Sequence, residues 1–386
     1  MEEFIPFNKP YMTGRELENI RLAHEKSHLS GNGAFSKECH SWLEAEIKCD
    51  RALLTHSCTA ALEIAALLID VKPGDEIIMP SFTFVSTANA FALRGAVPVF
   101  VDIREDTLNL DEKLIESAIT SRTRAIVVVH YAGVACEMDV IKSIAHRHDL
   151  RVIEDSAQAI KAYYKGQPLG SVGDLGALSF HETKNIIAGE GGALLVNDAS
   201  LAEQAEVIWE KGTDRNQYQR GEVEKYTWQG LGSSFLPGEV TAAFLMAQLS
   251  MSDWITENRL DTWSKYHQEL LPLEESGFLR RPIVPNHCLH NAHMYFVLLP
   301  GDICRETVLK KLNASGINAV FHYVPLHDSP GGQRFGRLGS SLKNTEDQSS
   351  RLIRLPLWVG ISDSQVMRVV ETLGANLMNA KTRDRH

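Results

Sequence analysis

The 386-residue sequence lacks several features that would each point to a class of protein. It has no stretch of about 18 or more apolar residues, so no helix of this chain is expected to span a bilayer. No apolar leader segment follows Met1-Glu2-Glu3, and the six cysteines (Cys39, Cys49, Cys58, Cys136, Cys288, Cys304) show no spacing of a disulfide framework. Both observations lead us to expect a reducing, cytoplasmic setting. Long basic runs are also missing, and a net charge of -10 argues against a nucleic-acid surface. A few local amides or arginines can still bind an anionic small molecule in such a protein. No Gly-x-Gly-x-x-Gly follows the first predicted strand, since Gly31-Asn32-Gly33 continues as Ala34-Phe35-Ser36, which disfavours a nicotinamide dehydrogenase. The Gly-x-Ser-x-Gly elbow of one hydrolase class is absent too. The run from His287 through Cys288 and His290 to His293 has ligand-type side chains but no second pair at a zinc spacing. It is expected to be a polar loop with packed members, and no metal is expected.

What remains is the composition of an ordinary globular protein, 44% hydrophobic and 23% charged, too long for one compact core. The pattern predicts a large domain over residues 1–245 and a smaller α+β domain over 246–386. Short apolar strands alternate with helical patterns, the mark of an α/β fold with a mostly parallel sheet covered by helices. Strands are predicted at 52–55, 76–79, 97–102, 125–130, 151–155 and 192–197, and near-continuous runs such as Ala125 to Val129 suit a sheet buried on both faces. Helices are predicted at 57–70, 83–93, 138–148 and 200–211, after an N-terminal helix opened by a capping box from Thr13 to Glu16. A long helix at 238–270, strands at 294–299 and 319–323, and helices at 305–315 and 362–377 complete the reading. Lys381 to His386 reads as a solvated tail.

Lys184 stands in a particular setting. It follows Ser179 and precedes Gly189-Glu190-Gly191-Gly192, and upstream Asp155 closes the strand Arg151 to Asp155. A lysine amine on a small-residue turn, with a strand-end carboxylate, is what pyridoxal phosphate (PLP) requires. The amine condenses with the cofactor's aldehyde, and the acid keeps the pyridine nitrogen protonated. Thr55 to Leu62 places small and hydroxylated residues at a strand-to-helix turn, which suits a phosphate as well as it suits a plain N-cap by Ser57 or Thr59. Gln158 lies just beyond the end of the Asp155 strand, where ligands of open α/β sheets gather, and Phe84 offers a ring that could stack on a cofactor. The segment Gly212 to Gly232 is too long for a simple connector. Arg215, Arg220, Lys225 and Tyr226 crowd into it, either as ligands of a charged substrate or as solvated side chains, with His327 as a further candidate.

As a set, these motifs resemble the DegT/DnrJ/EryC1/StrS sugar aminotransferases, PLP enzymes of fold type I. The resemblance runs from Ile5-Pro6-Phe7 to Leu355-Pro356-Leu357, and its most specific stretches are Pro80 to Asn89, His130 to Gly133, Glu154 to Gln158, Ser179 to Gly192 and Phe321 to His327. It implies that Lys184 binds the cofactor's aldehyde, Asp155 its ring nitrogen and Gln158 its ring oxygen. Phe84 would stack on the ring, and Thr59, Ala60 and Ser179 would hold the phosphate. Relatives that dehydrate sugars carry His in place of the lysine, so Lys184 argues against that branch. Many relatives also supply a phosphate-binding asparagine from a partner subunit, in a segment matching Phe235 to Val240. This chain has Leu236 there, with Ser233 or Ser234 nearby. Ser81 to Arg94, His130 to Asp139 and His181 to Asn185 are similar to the branch that makes dTDP-4-amino-4,6-dideoxygalactose from the dTDP-linked 4-keto sugar with L-glutamate. The resemblance also implies a homodimer, or a higher homo-oligomer, with active sites at the subunit interface.

Overall fold

The computed structural model describes residues 3–383. Its main sheet is built from β1 (Arg51–Thr55), β2 (Glu76–Pro80), β3 (Val97–Val101), β4 (Thr123–Val129) and β5 (Arg151–Asp155). After two short strands, β6 (Tyr163–Tyr164) and β7 (Gln167–Pro168), come β8 (Leu175–Ser179) and β9 (Gly192–Val196). The C-terminal part adds β10 (Cys288–Leu289), β11 (Tyr295–Leu298), β12 (Arg337–Leu338) and β13 (Leu352–Leu355). Eight strands form the main sheet in the order β1-β9-β8-β5-β4-β2-β3-β12. All pairs from β8 to β12 are parallel, and only β9 runs against its neighbours β1 and β8.

This topology brings the ends of many strands to one edge. The parallel strands end there at Pro80, Val129, Asp155 and Ser179, while the registers Thr55↔Gly192 and Ser179↔Gly192 bring the end of β1 and the start of β9 to the same line. The sheet is mostly apolar because both its faces are covered. Strand alternation sends Ile77, Met79, Val127 and Ile153 into one core and Ile78, Ile126, Val128 and Val152 into the other. A separate core gathers around the β11–β13 pair, with Trp263, Leu312 and Val369 from three flanking helices.

Three expectations need correction. The predicted helix at 238–270 is two helices, Glu239–Leu249 and Ser252–Glu269, divided at Ser250-Met251. The predicted strand at 319–323 makes only one bridge, Val320↔Arg354, because the chain turns at Tyr323 (φ 41°) toward the sheet edge. The strand that pairs with β11 is β13. β8 was not predicted, and its sequence explains why. A Cβ at Gly176 would lie 2.3 Å from the Gly170 carbonyl oxygen, so close packing requires a residue with little strand propensity.

The last helix, Asp363–Arg383, absorbs the first part of the predicted tail, and residues 384–386 lie outside the described residues. Among the described residues no helix is long and apolar enough to cross a membrane.

Candidate active site

A cavity of about 820 Å³ opens at the shared strand edge, between it and the segments Phe321–Ser329 and β13. Asp155, Gln158, Ser179 and Lys184 line it together with Thr59 and Phe84, so the structure brings six of the predicted residues to one place.

Asp155 is the last residue of β5 and is 6% exposed. The Thr87 hydroxyl donates to its Oδ2 (2.7 Å) and the Ala157 N–H to its Oδ1 (3.2 Å). Burial pushes its carboxyl above the usual range, against the pull of Thr87, the Ala157 amide and the Lys184 amine. The preceding residue, Glu154, points to the other side of the strand. There it meets His130 Nε2 (2.8 Å) and the N–H groups of Gly170, Val172 and Gly173, with both side chains fully buried. Cys136 N–H donates to His130 Nδ1, so the ring's proton sits on Nε2 and is given to Glu154. That pair anchors the end of β5 beneath the cavity.

Lys184 lies on the loop joining β8 to β9. Bonds from Phe180 N–H to Gly191, Ala188 N–H to Phe180 and Glu182 N–H to Gly189 close the loop. Ile186 and Ile187 are buried beyond Lys184, and the Asn185 amide donates to the Asn291 carbonyl at 2.8 Å. The lysine backbone is therefore fixed on both sides, while the Nζ of this half-buried residue has no hydrogen-bond partner among the described residues. Burial pulls the Lys184 amine below the ordinary lysine range, with nearby Arg354 adding to the effect. A neutral amine is the form that attacks an aldehyde.

Two helix N-termini face the cavity beside these groups. Ser57 caps the helix Cys58–Leu68 by accepting from Ala60 N–H at 3.1 Å, and Ala60, expected to help hold the phosphate, does not itself line the cavity. The N–H groups of Cys58 and Thr59 have no acceptor among the described residues and remain for a ligand. Thr59 Oγ1 lies 2.7 Å from Ser86 Oγ, on the first turn of the helix Val85–Ala92. A Cβ at Gly192 would lie 2.4 Å from Cys58 N, so only glycine lets this helix end approach the β9 edge so closely. Ser179, 7% exposed, ends β8 beside it.

Gln158 is held by both ends of its amide. Its oxygen accepts from Ala132 N–H (2.7 Å), and its Nε2 donates to the Tyr323 hydroxyl (3.0 Å). Phe84 caps the second helix at 56% exposure, its ring 6.5 Å from that of Tyr323.

The other candidates lie elsewhere. Arg215, Arg220, Lys225 and Tyr226 do not reach the cavity of their own chain. Arg215 pairs with Glu210 at 3.5 Å and Arg220 with Glu206 at 2.7 Å, and Tyr226 stacks near Arg215. Their segment is an excursion held by contacts of its own. A short helix, Arg215–Arg220, opens it; Asp214 then accepts from Thr227 N–H and the Gln229 amide; and Gly212 approaches Gly230 too closely for any Cβ. His327 also lies outside the cavity, its Nδ1 2.7 Å from the Ser81 hydroxyl and its Nε2 near Asp328 and Glu346. Ser233 and Ser234 are exposed away from the cavity, and Leu236 packs against the main core. The His287–His293 run disperses: His287 pairs with Glu137, His290 packs on Trp263, and His293 Nδ1 meets Asn185. Among the described residues no cluster of three or more ligand-type side chains is placed to hold a metal ion.

Several residues at or behind the cavity carry no obvious signal in the sequence. Thr87 reads as an ordinary helix residue, Cys58 as part of a cap, and Tyr323 as a strand residue. Arg354, on an otherwise apolar strand, reads as an edge charge.

The donor set fits PLP. A lysine amine held below its usual pKa, a buried carboxylate with only two partners, and a helix end with free N–H groups share one cavity. Comparisons with known proteins agree. The chain is 32% identical to the spore coat polysaccharide biosynthesis protein SpsC of Bacillus subtilis over 383 residues, 96% of each chain. The aminotransferase TlmJ from Streptoalloteichus hindustanus, 28% identical, superimposes with a TM-score of 0.89 and covers 97% of this chain and 99% of its own. The PMP form of the putative sugar aminotransferase Spr1654 from Streptococcus pneumoniae, at 24% identity, shares the fold with a TM-score of 0.91 over 99% of this chain and 100% of its own. Residues 10–374 match the DegT/DnrJ/EryC1/StrS aminotransferase family, so the chain belongs to that family of PLP-dependent aminotransferases.

Proposed function

We propose that this aminotransferase moves an amino group from L-glutamate to the keto carbon of a 4-keto-6-deoxy hexose linked to dTDP. On this reading dTDP-4-dehydro-6-deoxy-D-glucose becomes dTDP-4-amino-4,6-dideoxy-D-galactose. The observation that carries the chemistry is Lys184 beside Asp155 in one buried cavity. The sugar assignment rests on the resemblance of Ser81 to Arg94, His130 to Asp139 and His181 to Asn185. The name of the related spore coat polysaccharide biosynthesis protein supports a role in sugar metabolism and does not bear on the nucleotide or the carbon.

When bound, PLP supplies an aldehyde that takes up the amino group and a ring that accepts the electron pair left on carbon. Lys184 Nζ would hold that aldehyde at rest. Once displaced by the donor, it would take the proton from the donor's Cα and return it on the other side of the transfer. Asp155 would face the ring nitrogen, where Thr87 and the Ala157 amide fix its carboxylate. The Thr59 and Ser179 hydroxyls, with the N–H groups of Cys58 and Thr59, would receive the phosphate. Phe84 would cover the ring, and the Gln158 amide would lie beside its oxygen. Exposed Phe84 and Val85 at the cavity and Trp228 and Leu231 on the 212–232 excursion support a homodimer. Arg215, Arg220, Lys225 and Tyr226 would then meet the nucleotide only at a partner copy's site.

NMR of the products formed from L-glutamate and a panel of keto sugars tests this reading. The dTDP-linked 4-keto sugar should yield an axial C4 amine. Amination at C3, or only of a GDP- or UDP-linked sugar, would replace the substrate assignment. Glutamate leaving the bound cofactor's absorption unchanged would point to a PLP-binding protein without turnover.

A further inference from the structure

Two imidazoles reach the cavity wall, and their hydrogen bonds set them apart. His322 Nδ1 meets the Tyr131 hydroxyl at 2.8 Å, a group that can give or take the proton, so nothing there fixes that ring's tautomer. His293 is different. Its Nδ1 lies 3.0 Å from Asn185 Oδ1, while Nδ2 of the same amide donates to the Asn291 carbonyl at 2.8 Å. A carbonyl only accepts, so the Asn185 amide must turn its oxygen toward His293, and the neutral ring carries its proton on Nδ1. The ring lines the cavity, and its Nε2 has no hydrogen-bond partner among the described residues. His293 therefore offers the cavity a lone pair.

Its surroundings keep that lone pair free. Burial holds the imidazole far below its ordinary pKa, and the charges of Lys184, Arg259 and Arg354 push the same way, Lys184 most strongly among them. Arg259 spends its Nε and Nη2 on the carbonyls of Ala292 (3.1 Å) and His293 (2.8 Å). These bonds also fix the turn that carries His293, and the Asn291 amide ties the turn to the carbonyls of Gln158 and Ile160. A rigidly held acceptor with no donor is matched only by an N–H or O–H that arrives during the reaction.

The chain itself supplies such a donor. Asn185, the partner of the ring, directly follows Lys184, whose Nζ has no hydrogen-bond partner either. Once Nζ leaves the cofactor, it must point its lone pair at the carbon that gives up the proton. An N–H held from behind fixes that orientation. After the transfer the amine is an ammonium, and Asp155 beside it is already committed to Thr87 and Ala157. An imidazole of low basicity accepts a hydrogen bond from that ammonium without taking its proton, which stays on Nζ for its return.

We propose that His293 is a positioning residue for Lys184: its Nε2 accepts a hydrogen bond from the freed Nζ and holds the amine in line for the proton shift. This rests on the proposed role of Lys184 in transamination and adds to it the group that orients the amine.

Two variants of the holoenzyme separate this role from simple support of Asn185. His293→Asn keeps a donor where Nδ1–H stood and has nothing at the Nε2 position, whereas His293→Gln keeps an acceptor there. PLP content should stay unchanged in both. Loss of a hydrogen bond to a charged amine should slow the half-reaction with L-glutamate about 10- to 100-fold in His293→Asn at an unchanged half-saturating concentration, and His293→Gln should recover most of the rate. Equal rates in the two variants, or the reverse order, would overturn the inference. A second measurement needs no turnover: nitrogen-15 NMR of the His293 ring with PLP bound, where the lysine is engaged, and with pyridoxamine phosphate bound, where it is free. The Nε2 signal should move upfield in the pyridoxamine form and should not do so in Lys184→Ala. A signal that stays in place would overturn the proposal, and so would a shift that persists in Lys184→Ala, which would give the contact to the cofactor's own amine. Failure of the donor assignment reads out separately, as a parent enzyme whose cofactor absorption L-glutamate leaves unchanged.

Discussion

Glu154 and Asp155 are consecutive carboxylates on one strand, and the protein treats them in opposite ways. Alternation along β5 sends them to opposite faces. Glu154 meets an imidazole and three backbone N–H groups, which leaves its oxygens little capacity for anything else. Asp155 has two partners and a cavity in front of it. The same contrast separates Arg259, whose guanidinium is bonded to carbonyls, from Arg354, whose buried Nε has no hydrogen-bond partner among the described residues. A buried charge with every partner supplied holds the fold together; a buried charge with capacity to spare is held ready for a ligand.

Substitutions on each side of this comparison should fail in different ways. The largest effect belongs to Lys184→Ala, which should fold yet lose turnover and the visible absorption of lysine-bound PLP. Lys184→Arg should fail likewise, because a guanidinium stays protonated. Turnover above trace levels in either variant would remove Lys184 from its role. Asp155→Asn should still take up PLP while its kcat falls about 10³-fold. A fall of only a few-fold would mean another group serves the ring nitrogen. Glu154→Gln should do the reverse: it leaves His130 and three amides badly matched and costs about 3 kcal/mol of stability, read as a lower Tm. The kcat of its folded fraction should stay close to the parent's, and a kcat loss like that of Asp155→Asn would erase the distinction between the two acids.

The smallest effect tests the sign of the Asp155 environment. The Thr87 hydroxyl bond favours the charged carboxylate and opposes the upward push of burial. Thr87→Val removes it, so the Asp155 carboxyl should titrate still higher, and the acid limb of kcat/KM should move to higher pH with a loss of about tenfold or less near neutrality. A limb that stays in place would show that Thr87 does not control this group.

Much of this arrangement was legible in the sequence because it rests on local features. Asp155 ends an apolar run, Lys184 sits between a serine and glycines, and Ser57 precedes a helical pattern, so each could be read where it stood. The unread parts depend on distant contacts. β8 looks weak until Gly170 is seen against Gly176. The 319–323 segment is cut to one bridge by the turn at Tyr323, and β13 pairs with β11. The free amides are those of Cys58 and Thr59, just before Ala60, because Ser57 takes the Ala60 N–H. Arg354 gives no signal in sequence at all, since only the absence of an anion around it marks it out. The pairing of the charges on the 212–232 excursion was not legible either, since Arg215 and Arg220 meet acids of the preceding helix and its end, Glu206 and Glu210, and Arg220 also meets Glu222.

The most direct test of the two-faced strand is the nitrogen-15 chemical shift of the pyridine nitrogen in labelled PLP bound to three proteins: the parent, Glu154→Gln and Asp155→Asn. If Asp155 is the carboxylate kept for the ligand, the nitrogen is protonated in the parent and in Glu154→Gln and loses its proton in Asp155→Asn. A protonated nitrogen in Asp155→Asn, or its loss in Glu154→Gln, would contradict the account.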